Sequence, residues 1–226
     1  MHHDSKRPTR FKSENMLVHA YLDQFRNREA THKLITELES SNGIADVVHV
    51  HLRKGCKGAS RIGEISPRWA YTLHSLPTRK PFSVEELSQI AGSSVSAARS
   101  ALRSFESAGF CARHSQTHNW IKTSSPRPIA NKIIAIEAKL SDWRRALTQA
   151  YRYQDYAMES WVLLDEASSG PAKNNIDAFV RLNVGLVTLG IEGSLQTIFS
   201  PKQSKPKSEI QHWHIMSQID RELLEK

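Results

Sequence analysis

One short segment constrains the fold more than any other: an apolar run from Ile133 to Ile136, followed at once by Glu137-Ala138-Lys139. An unbroken run of β-branched and apolar residues is typical of a central strand that is covered on both faces. Because side chains alternate along a strand, Glu137 and Lys139 are expected on the same face. Two charges on a covered strand cost free energy unless they are paired or bound to a metal ion. This segment therefore predicts either a structural ion pair or a catalytic site.

A second carboxylate is predicted near this segment. Asp46 follows the Asn42-Gly43 turn signal and lies near the start of another strand-like run, residues 45–52. Mg²⁺ prefers a few carboxylates supplemented by water and substrate phosphate, so two carboxylates on neighbouring strand ends are sufficient. Asp46 and Glu137 are therefore candidate metal ligands, and the nearby lysine is a candidate for orienting water. The alternative for Asp46 is a cap beside the turn.

The segment after the strand predicts a long helix, capped by Ser141 and extending to about Met158. One face is apolar and is expected to pack on the core. The apolar positions are Trp143, Ala146, Leu147, Ala150 and Ala157. The other face is polar, and its members share a side because they are three or four residues apart. These polar positions are Arg145, Gln149, Arg152 and Tyr153. They are expected over the site, although an ordinary solvated face fits the same pattern.

Residues 63–123 predict a separate module inserted between the two candidate carboxylates. A proline-initiated helix comes first, and a capping box formed by Ser83 and Glu86 opens the second helix. A third helix and a hairpin around residues 115–119 follow. This order of helix, helix, short turn, helix and hairpin predicts a winged helix-turn-helix.

The inserted module has the charge expected of a nucleic-acid-binding surface. Residues 66–122 contain seven Lys and Arg residues and three Glu residues, for a net charge of +4. Small residues and arginines on the third helix suit close approach to a major groove. The candidate DNA-binding positions of the module are Ser96, Arg99, Ser100 and Arg103 on that helix and Arg113 on the hairpin. Arg145 and Arg152 of the later helix are added to this group. A winged fold used for protein contact is the alternative.

The spacing of these residues resembles the PD-(D/E)XK nuclease superfamily. Asp46, then Glu137-x-Lys139, then Gln149-x-x-x-Tyr153 is similar to members that carry a Gln-x-x-x-Tyr helix after the catalytic strand. The resemblance implies an α/β fold, with a restriction-endonuclease-like mixed sheet flanked by helices and an inserted winged helix-turn-helix. It also implies Mg²⁺ or Mn²⁺ as cofactor, two carboxylate ligands, a water-orienting lysine, and support of the site by the glutamine and tyrosine.

Four further features bear on this resemblance. Glu14, on the first predicted helix, occupies the place of an extra acidic residue found in many members. Asp46 follows alanine rather than proline, and 91 residues separate it from Glu137. The inserted module accounts for that gap, because inserting residues at a loop costs little when the ends of the insertion lie close together. Glu37 is a further, lower-ranked acidic candidate.

The resemblance and the patterns together predict a domain plan. Its parts are a flexible basic arm at 1–13, a discontinuous nuclease core at 14–62 and 124–200, an insertion at 63–123, and a linker with an amphipathic helix at 201–226. The apolar stripe of that last helix, which includes Trp213, predicts either a dimer seam or docking on its own domain. A homodimer would suit double-strand cutting.

Composition limits the class of protein. The net charge of +8 favours a polyanionic partner such as DNA. Two cysteines provide no disulfide framework, and the absence of a signal-like or membrane-spanning apolar run predicts a cytoplasmic protein. The expected function is a metal-dependent DNA endonuclease, by analogy one that acts in restriction or defence against foreign DNA. The alternatives are a non-catalytic DNA-binding protein on a nuclease-like scaffold and a nuclease subunit that needs a partner.

Overall fold

The structure is a computed structural model that describes residues 10–25, 32–55 and 60–224. Most of the predicted basic arm and Cys56 lie outside the described residues. The chain forms two compact units, taken separately below. The first unit is Met1–Leu52 with Lys132–Lys207, and the second is Arg53–Asn131 with Ser208–Lys226.

The elements are numbered in chain order. The strands are β1 (His32–Ser40), β2 (Gly43–Leu52), β3 (Pro81–Phe82), β4 (Cys111–Arg113), β5 (Trp120–Lys122), β6 (Ala130–Lys139), β7 (Glu159–Asp165), β8 (Gly185–Leu189) and β9 (Leu195–Phe199). The helices are α1 (Glu14–Asp23), α2 (Pro67–Ser75), α3 (Val84–Ile90), α4 (Val95–Ser107), α5 (Trp143–Tyr153), α6 (Gly170–Lys173), α7 (Ile176–Leu182) and α8 (Glu209–Leu224).

The first unit is built on a mixed six-stranded sheet in the order β1-β2-β6-β7-β8-β9. β7 runs parallel to both β6 and β8, whereas β1 with β2 and β8 with β9 form antiparallel pairs. β6 is third of the six strands, so the prediction of a central strand is confirmed. The predicted α/β architecture, a mixed sheet flanked by helices, is also confirmed at this level.

Helices cover both faces of this sheet, and the alternation of side chains along β7 shows it. Val162 packs in a cluster with Trp143 of α5 and Phe179 of α7. The next residue, Leu163, packs in a second cluster with Leu17 of α1. The strand ends of this sheet are therefore buried between helical layers, which is the setting of the candidate site.

The position of α5 corrects the sequence prediction at both ends. Asp142, not Ser141, is the N-cap, because its carboxylate accepts the Arg145 N–H at 3.1 Å. The helix ends at Tyr153 rather than near Met158, whose N–H instead bonds to the Ile133 carbonyl and leads the chain into β7. Ala157 is buried as predicted, but it lies beyond the helix.

The second unit contains α2, α3 and α4, a small antiparallel sheet in the order β3-β5-β4, and α8. The capping box of Ser83 and Glu86 is confirmed, with both of its hydrogen bonds formed. Ala98, Leu102 and Phe105 are buried on α4 as predicted, but Val95 at its start is exposed. The sequence patterns missed β3.

The two ends of the inserted segment are joined directly within the second unit. The Arg53 N–H donates to the Ile129 carbonyl at 2.9 Å, and the Ser60 hydroxyl donates to the Arg127 carbonyl at 2.9 Å. An insertion whose ends meet in this way adds little loop-closure cost to the host strand pair.

The C-terminal helix α8 docks on its own unit. Trp213 is buried and stacks on the His74 ring of α2, with the ring centroids 4.2 Å apart. Asp220 accepts the Gly63 N–H at 2.8 Å, and the Arg221 guanidinium donates to the Ile65 carbonyl at 2.9 Å. Trp213 therefore packs within its own unit, which agrees with the second of the two sequence-based alternatives, docking of the helix on its own domain. No helix in the described part of the chain has the length and apolar character needed to cross a membrane.

Candidate active site

The end of β6 positions an ion pair. Lys139 Nζ lies 2.8 Å from Glu137 Oε1, which confirms that the two side chains share a face. The ammonium also donates to the Ala138 carbonyl at 2.9 Å. Glu137 is only 1% exposed, so burying its charge costs free energy that the groups in contact with it must offset.

Two further carboxylates approach the same ammonium. Lys139 Nζ is 3.3 Å from Glu14 Oε2 at the start of α1 and 3.9 Å from Asp46 Oδ2 on β2. Asp46 is fixed in turn by the Ala138 N–H, which donates to its Oδ2 at 2.7 Å. Three carboxylates around one ammonium carry a formal charge of −2 when all four groups are ionised. The cluster therefore retains negative charge that would attract a divalent cation.

Tyr153 connects α5 to this cluster. Its hydroxyl is 2.6 Å from Glu137 Oε2 and 2.7 Å from the Ile44 carbonyl oxygen, and it donates its single proton between these two acceptors. Burial, together with the hydrogen bond to Glu137 and the charge of Glu137, raises the pKa of Tyr153 well above its ordinary value. The hydroxyl therefore stays a donor at neutral pH. Tyr153 is fully buried, so it is not part of an open polar stripe as the sequence pattern suggested.

The cluster also shifts the titration of two of its members. Burial raises the pKa of Asp46 to about 6; the Ala138 hydrogen bond opposes this, and the charge of Glu137 adds to it. Burial alone would lower the pKa of Lys139, but the hydrogen bond and charge of Glu137, with the charges of Asp46 and Glu14, raise it overall. Lys139 is therefore a fixed cation at neutral pH, suited to donate hydrogen bonds rather than to accept a proton.

The other predicted residues of α5 lie outside this hydrogen-bond network. Gln149 is half-buried one turn before Tyr153, and its Oε1 has no hydrogen-bond partner within the described residues. Arg145 and Arg152 are exposed. Glu37 is exposed on β1 and forms no bond to this network within the described residues. Its neighbours in β1 pair with the two residues on either side of Asp46 in β2. Its own backbone is left-handed, with a φ of 54°.

The donor set is compatible with Mg²⁺ or Mn²⁺. No group of three or more His, Cys, Asp or Glu side chains suited to a metal ion occurs within the described residues. The expected set, however, consists of two carboxylates, Asp46 and Glu137, and Mg²⁺ takes most of its remaining ligands from water and phosphate. Each carboxylate oxygen has two lone pairs, so the present hydrogen bonds leave acceptor capacity for a cation. Asp46 and Glu137 are the residues that would hold it.

Sequence reasoning missed one residue that positions the site. Asp165 is buried at the end of β7, and its two oxygens accept the Phe11 N–H at 3.2 Å and the Ala167 N–H at 3.1 Å. The first bond fixes the chain just before α1, which carries Glu14. The available signal was the same as for Glu137, an acidic residue at the end of an apolar strand.

The predicted DNA-binding residues of the second unit are exposed on its surface. Those on α4 are Ser96, Arg99, Ser100 and Arg103. Arg113 on β4 is also exposed, and its guanidinium lies 4.0 Å from the centroid of the Trp120 ring. A groove of about 310 Å³ borders α4 and is lined in part by Ser100 and Arg103. These side chains are free to meet a ligand from solution.

Comparisons with known proteins give no match, whether to protein-family models, to curated proteins or to solved structures. The geometry and chemistry of the side chains are therefore the basis for assigning a function.

Proposed function

We propose that this protein is a metal-dependent nuclease that hydrolyses phosphodiester bonds of DNA. The observation that carries the proposal is the meeting of Asp46, Glu137 and Lys139 at the end of a buried central strand, with Glu137 held by the Tyr153 hydroxyl. A bound Mg²⁺ or Mn²⁺ would supply Lewis-acid stabilisation of the phosphate charge. The resemblance to the PD-(D/E)XK superfamily agrees with this arrangement.

Each side chain has a separate role in the proposal. Asp46, aligned by the Ala138 N–H, and Glu137 provide the carboxylate oxygens. Lys139 holds the attacking water and donates a hydrogen bond to the phosphate oxygen as charge develops there. Tyr153 keeps Glu137 in its geometry, Gln149 would support the substrate backbone, and Glu14 limits the movement of the lysine.

The second unit is proposed to be a winged helix-turn-helix that provides DNA affinity. Its order of three helices and a small antiparallel sheet suits that fold, and α4 would be the helix that enters a major groove. Arg99 and Arg103 would contact bases or phosphates, Ser96 and Ser100 would permit close approach, and Arg113 would add a backbone contact. Duplex DNA is the proposed partner.

The test is cleavage of supercoiled plasmid with Mg²⁺ and with Mn²⁺ by the wild type, Lys139→Ala and Lys132→Ala. Lys132 is a matched control: it lies on the same strand and its ammonium pairs with Glu159 at 2.5 Å, away from the carboxylate cluster. We expect Lys139→Ala to lower the cleavage rate on the order of 100-fold or more, because a donor to the developing charge is lost. Lys132→Ala should cut close to the wild-type rate. Equal cutting by all three proteins would refute the site assignment.

A non-catalytic DNA-binding protein is the second candidate. The observation that favours it is that both oxygens of Glu137 are already engaged, by Lys139 and Tyr153, as in a structural ion pair. In that case a gel shift with duplex DNA would persist, no metal would support cutting, and Glu137→Gln would change stability alone. Metal binding without cutting would instead indicate a subunit that needs a partner.

A further inference from the structure

The segment of residues 201–207, Pro-Lys-Gln-Ser-Lys-Pro-Lys, was expected to be a linker, but it is fixed to the first unit. The Lys202 N–H donates to Asn183 Oδ1 at 2.8 Å, and the Asn183 side-chain amide donates back to the Lys202 carbonyl at 2.8 Å. The Ser204 N–H bonds to the Met158 carbonyl at 3.0 Å, and the Lys207 N–H bonds to the Gln154 carbonyl at 2.9 Å. Four hydrogen bonds therefore fix the backbone of a segment that has no regular secondary structure.

The side chains of this lysine segment remain open to solvent. Lys202, Lys205 and Lys207 are exposed, and none forms an ion pair with a carboxylate in the part of the chain that the structure describes. Lys207 Nζ lies 3.6 Å from the centroid of the Tyr151 ring, on the outer side of α5, and Tyr151 is 40% exposed. Three lysines on a fixed backbone, without acidic partners, are preorganised for an anionic ligand.

Positive charge continues from this segment along α5. Arg152 follows Tyr151, and its carbonyl accepts the Asn42 amide at 3.4 Å, in the turn between β1 and β2 that leads to Asp46. The Asn42 amide also holds the Asp155 carboxylate, the acidic group next to this turn of α5. Arg144 and Arg145 extend the exposed basic surface along the same helix. The surface thus joins the lysine segment to the margin of the carboxylate cluster within one unit.

We propose that the lysine segment, with Tyr151 and Arg152, binds the sugar-phosphate backbone of a nucleic acid strand. Lysine ammonium groups neutralise phosphates and release condensed counterions, and this term needs no particular base sequence. An exposed aromatic ring bordered by cations is the arrangement on which an unpaired base stacks. This assignment rests on the proposed function only for its choice of partner, since binding is measured without cleavage. It gives the first unit its own contact with nucleic acid, separate from that of α4.

The test compares the wild type with Lys202→Gln/Lys205→Gln/Lys207→Gln in the full-length protein. A control of equal charge loss is Lys33→Gln/Lys54→Gln/Lys173→Gln, whose positions lie outside the segment. Fluorescence anisotropy with a labelled duplex and a labelled single strand is measured in EDTA over a series of salt concentrations. We expect the segment variant to bind on the order of tenfold more weakly and its salt dependence to lose about two to three units of slope. The control should stay within about twofold of the wild type, because remote charges are screened.

The two nucleic acid arms identify the source of the phosphates. A loss on either substrate supports the proposal, and a loss confined to the single strand, shared by Tyr151→Ala, assigns an unpaired strand to this surface. Equal losses in segment and control variants would overturn it, since net charge alone would then explain binding. The proposal would also be overturned if the segment variant bound nucleic acid like the wild type but bound vesicles of anionic lipid more weakly. The binding assay contains EDTA and measures no cleavage, so its result is independent of whether Lys139→Ala lowers the cleavage rate.

Discussion

Glu137 shows how much of this site depends on one buried charge. Burying the charge of a carboxylate that is 1% exposed costs free energy unless hydrogen bonds replace its lost hydration. Lys139 supplies one such bond, and the Tyr153 hydroxyl supplies the other. The hydroxyl is able to do this because α5 packs with Ala146, Ala150 and Tyr153 toward the sheet. The helix therefore supports the end of β6, where the candidate site lies.

Replacing Tyr153 with phenylalanine tests this support. The change keeps the buried ring and removes the hydroxyl that faces Glu137. We expect the cleavage rate or the Mn²⁺ affinity to fall on the order of 10- to 100-fold, as for other groups that orient a metal ligand. Cleavage under Mn²⁺ titration measures both quantities. Tyr71→Phe, at a half-buried position of α2 in the second unit, is the control, and equal activity of the two variants would contradict the role given to Tyr153.

The residues of the candidate site differed in how far they were predictable. The common face of Glu137 and Lys139 follows from strand alternation alone, and the structure confirms it. Asp46 and Glu14 approach Lys139 through contacts between residues that are far apart in the sequence. No local pattern encodes such contacts. Asp46 was proposed from the turn signal and the strand pattern, whereas Glu14 was proposed only from the resemblance to a family. Asp165 was missed because its partners, the N–H groups of residues 11 and 167, are main-chain atoms.

At the scale of elements, the features set by local sequence signals were predicted well, whereas those that depend on long-range contacts were not. The Asn42-Gly43 turn formed, and Gly43 takes a φ of 125° that other residues rarely adopt. The capping box of α3 also formed, because its two hydrogen bonds join residues three apart. β3 was missed because Phe82 becomes a strand residue only by pairing with Trp120, far along the chain. The N-cap of α5 was misassigned by one residue because Ser141 and Asp142 are both suitable caps.

Contacts between neighbouring strands give a prediction about the sheet that carries the site. Gly185 on β8 lies opposite Trp161 on β7, and a Cβ atom at Gly185 would overlap the indole ring. We expect Gly185→Ala to lower the free energy of unfolding by about 1–3 kcal/mol, since either the ring or the strand must move. Urea denaturation followed by tryptophan fluorescence measures the change.

Gly170→Ala is the control for this substitution. A Cβ atom at Gly170, the first residue of α6, has no neighbouring atom within 4 Å. That variant should be neutral or more stable by up to about 1 kcal/mol, because alanine has less freedom in the unfolded chain. A Gly185→Ala protein as stable as Gly170→Ala would show that the sheet tolerates the extra methyl group.

For the whole molecule, the proposed chemistry lies in the first unit, whereas the proposed contacts with nucleic acid are shared by both units. The carboxylate cluster and the lysine segment belong to the first unit, and the exposed arginines of α4 belong to the second. Each unit is made of two separate segments of the chain. A single proteolytic cut therefore would not separate one unit from the other. A buried histidine of the first unit makes the stability of the protein depend on pH.

His49 is that residue. It is 6% exposed on β2, its ring lies against Tyr21 and Phe25, and its Nε2 has no hydrogen-bond partner among the described residues. Burial, followed by the nearby charges of His51 and His32, lowers the pKa of His49 to about 4. The imidazole is therefore neutral in the folded protein across the range where the unfolded chain already takes up a proton. Proton uptake by the unfolded chain favours unfolding, so stability is lost as the pH falls from about 6.5 toward 4.

Replacing His49 with phenylalanine should remove this loss. The variant keeps an aromatic ring against Tyr21 and Phe25 and has no group to protonate. Between about pH 7 and about pH 5, we expect the wild type to lose about 2 kcal/mol more unfolding free energy than His49→Phe, measured by urea denaturation at each pH. The comparison is made as a difference because Asp46, with its raised pKa, contributes in the opposite direction to both proteins. His19→Gln, at an exposed position of α1, is the control and should follow the wild type. If the unfolding free energies of the wild type and His49→Phe changed with pH in parallel, His49 would have to take up its proton in the folded protein. The protonated ring would then need a hydrogen-bond partner or contact with solvent.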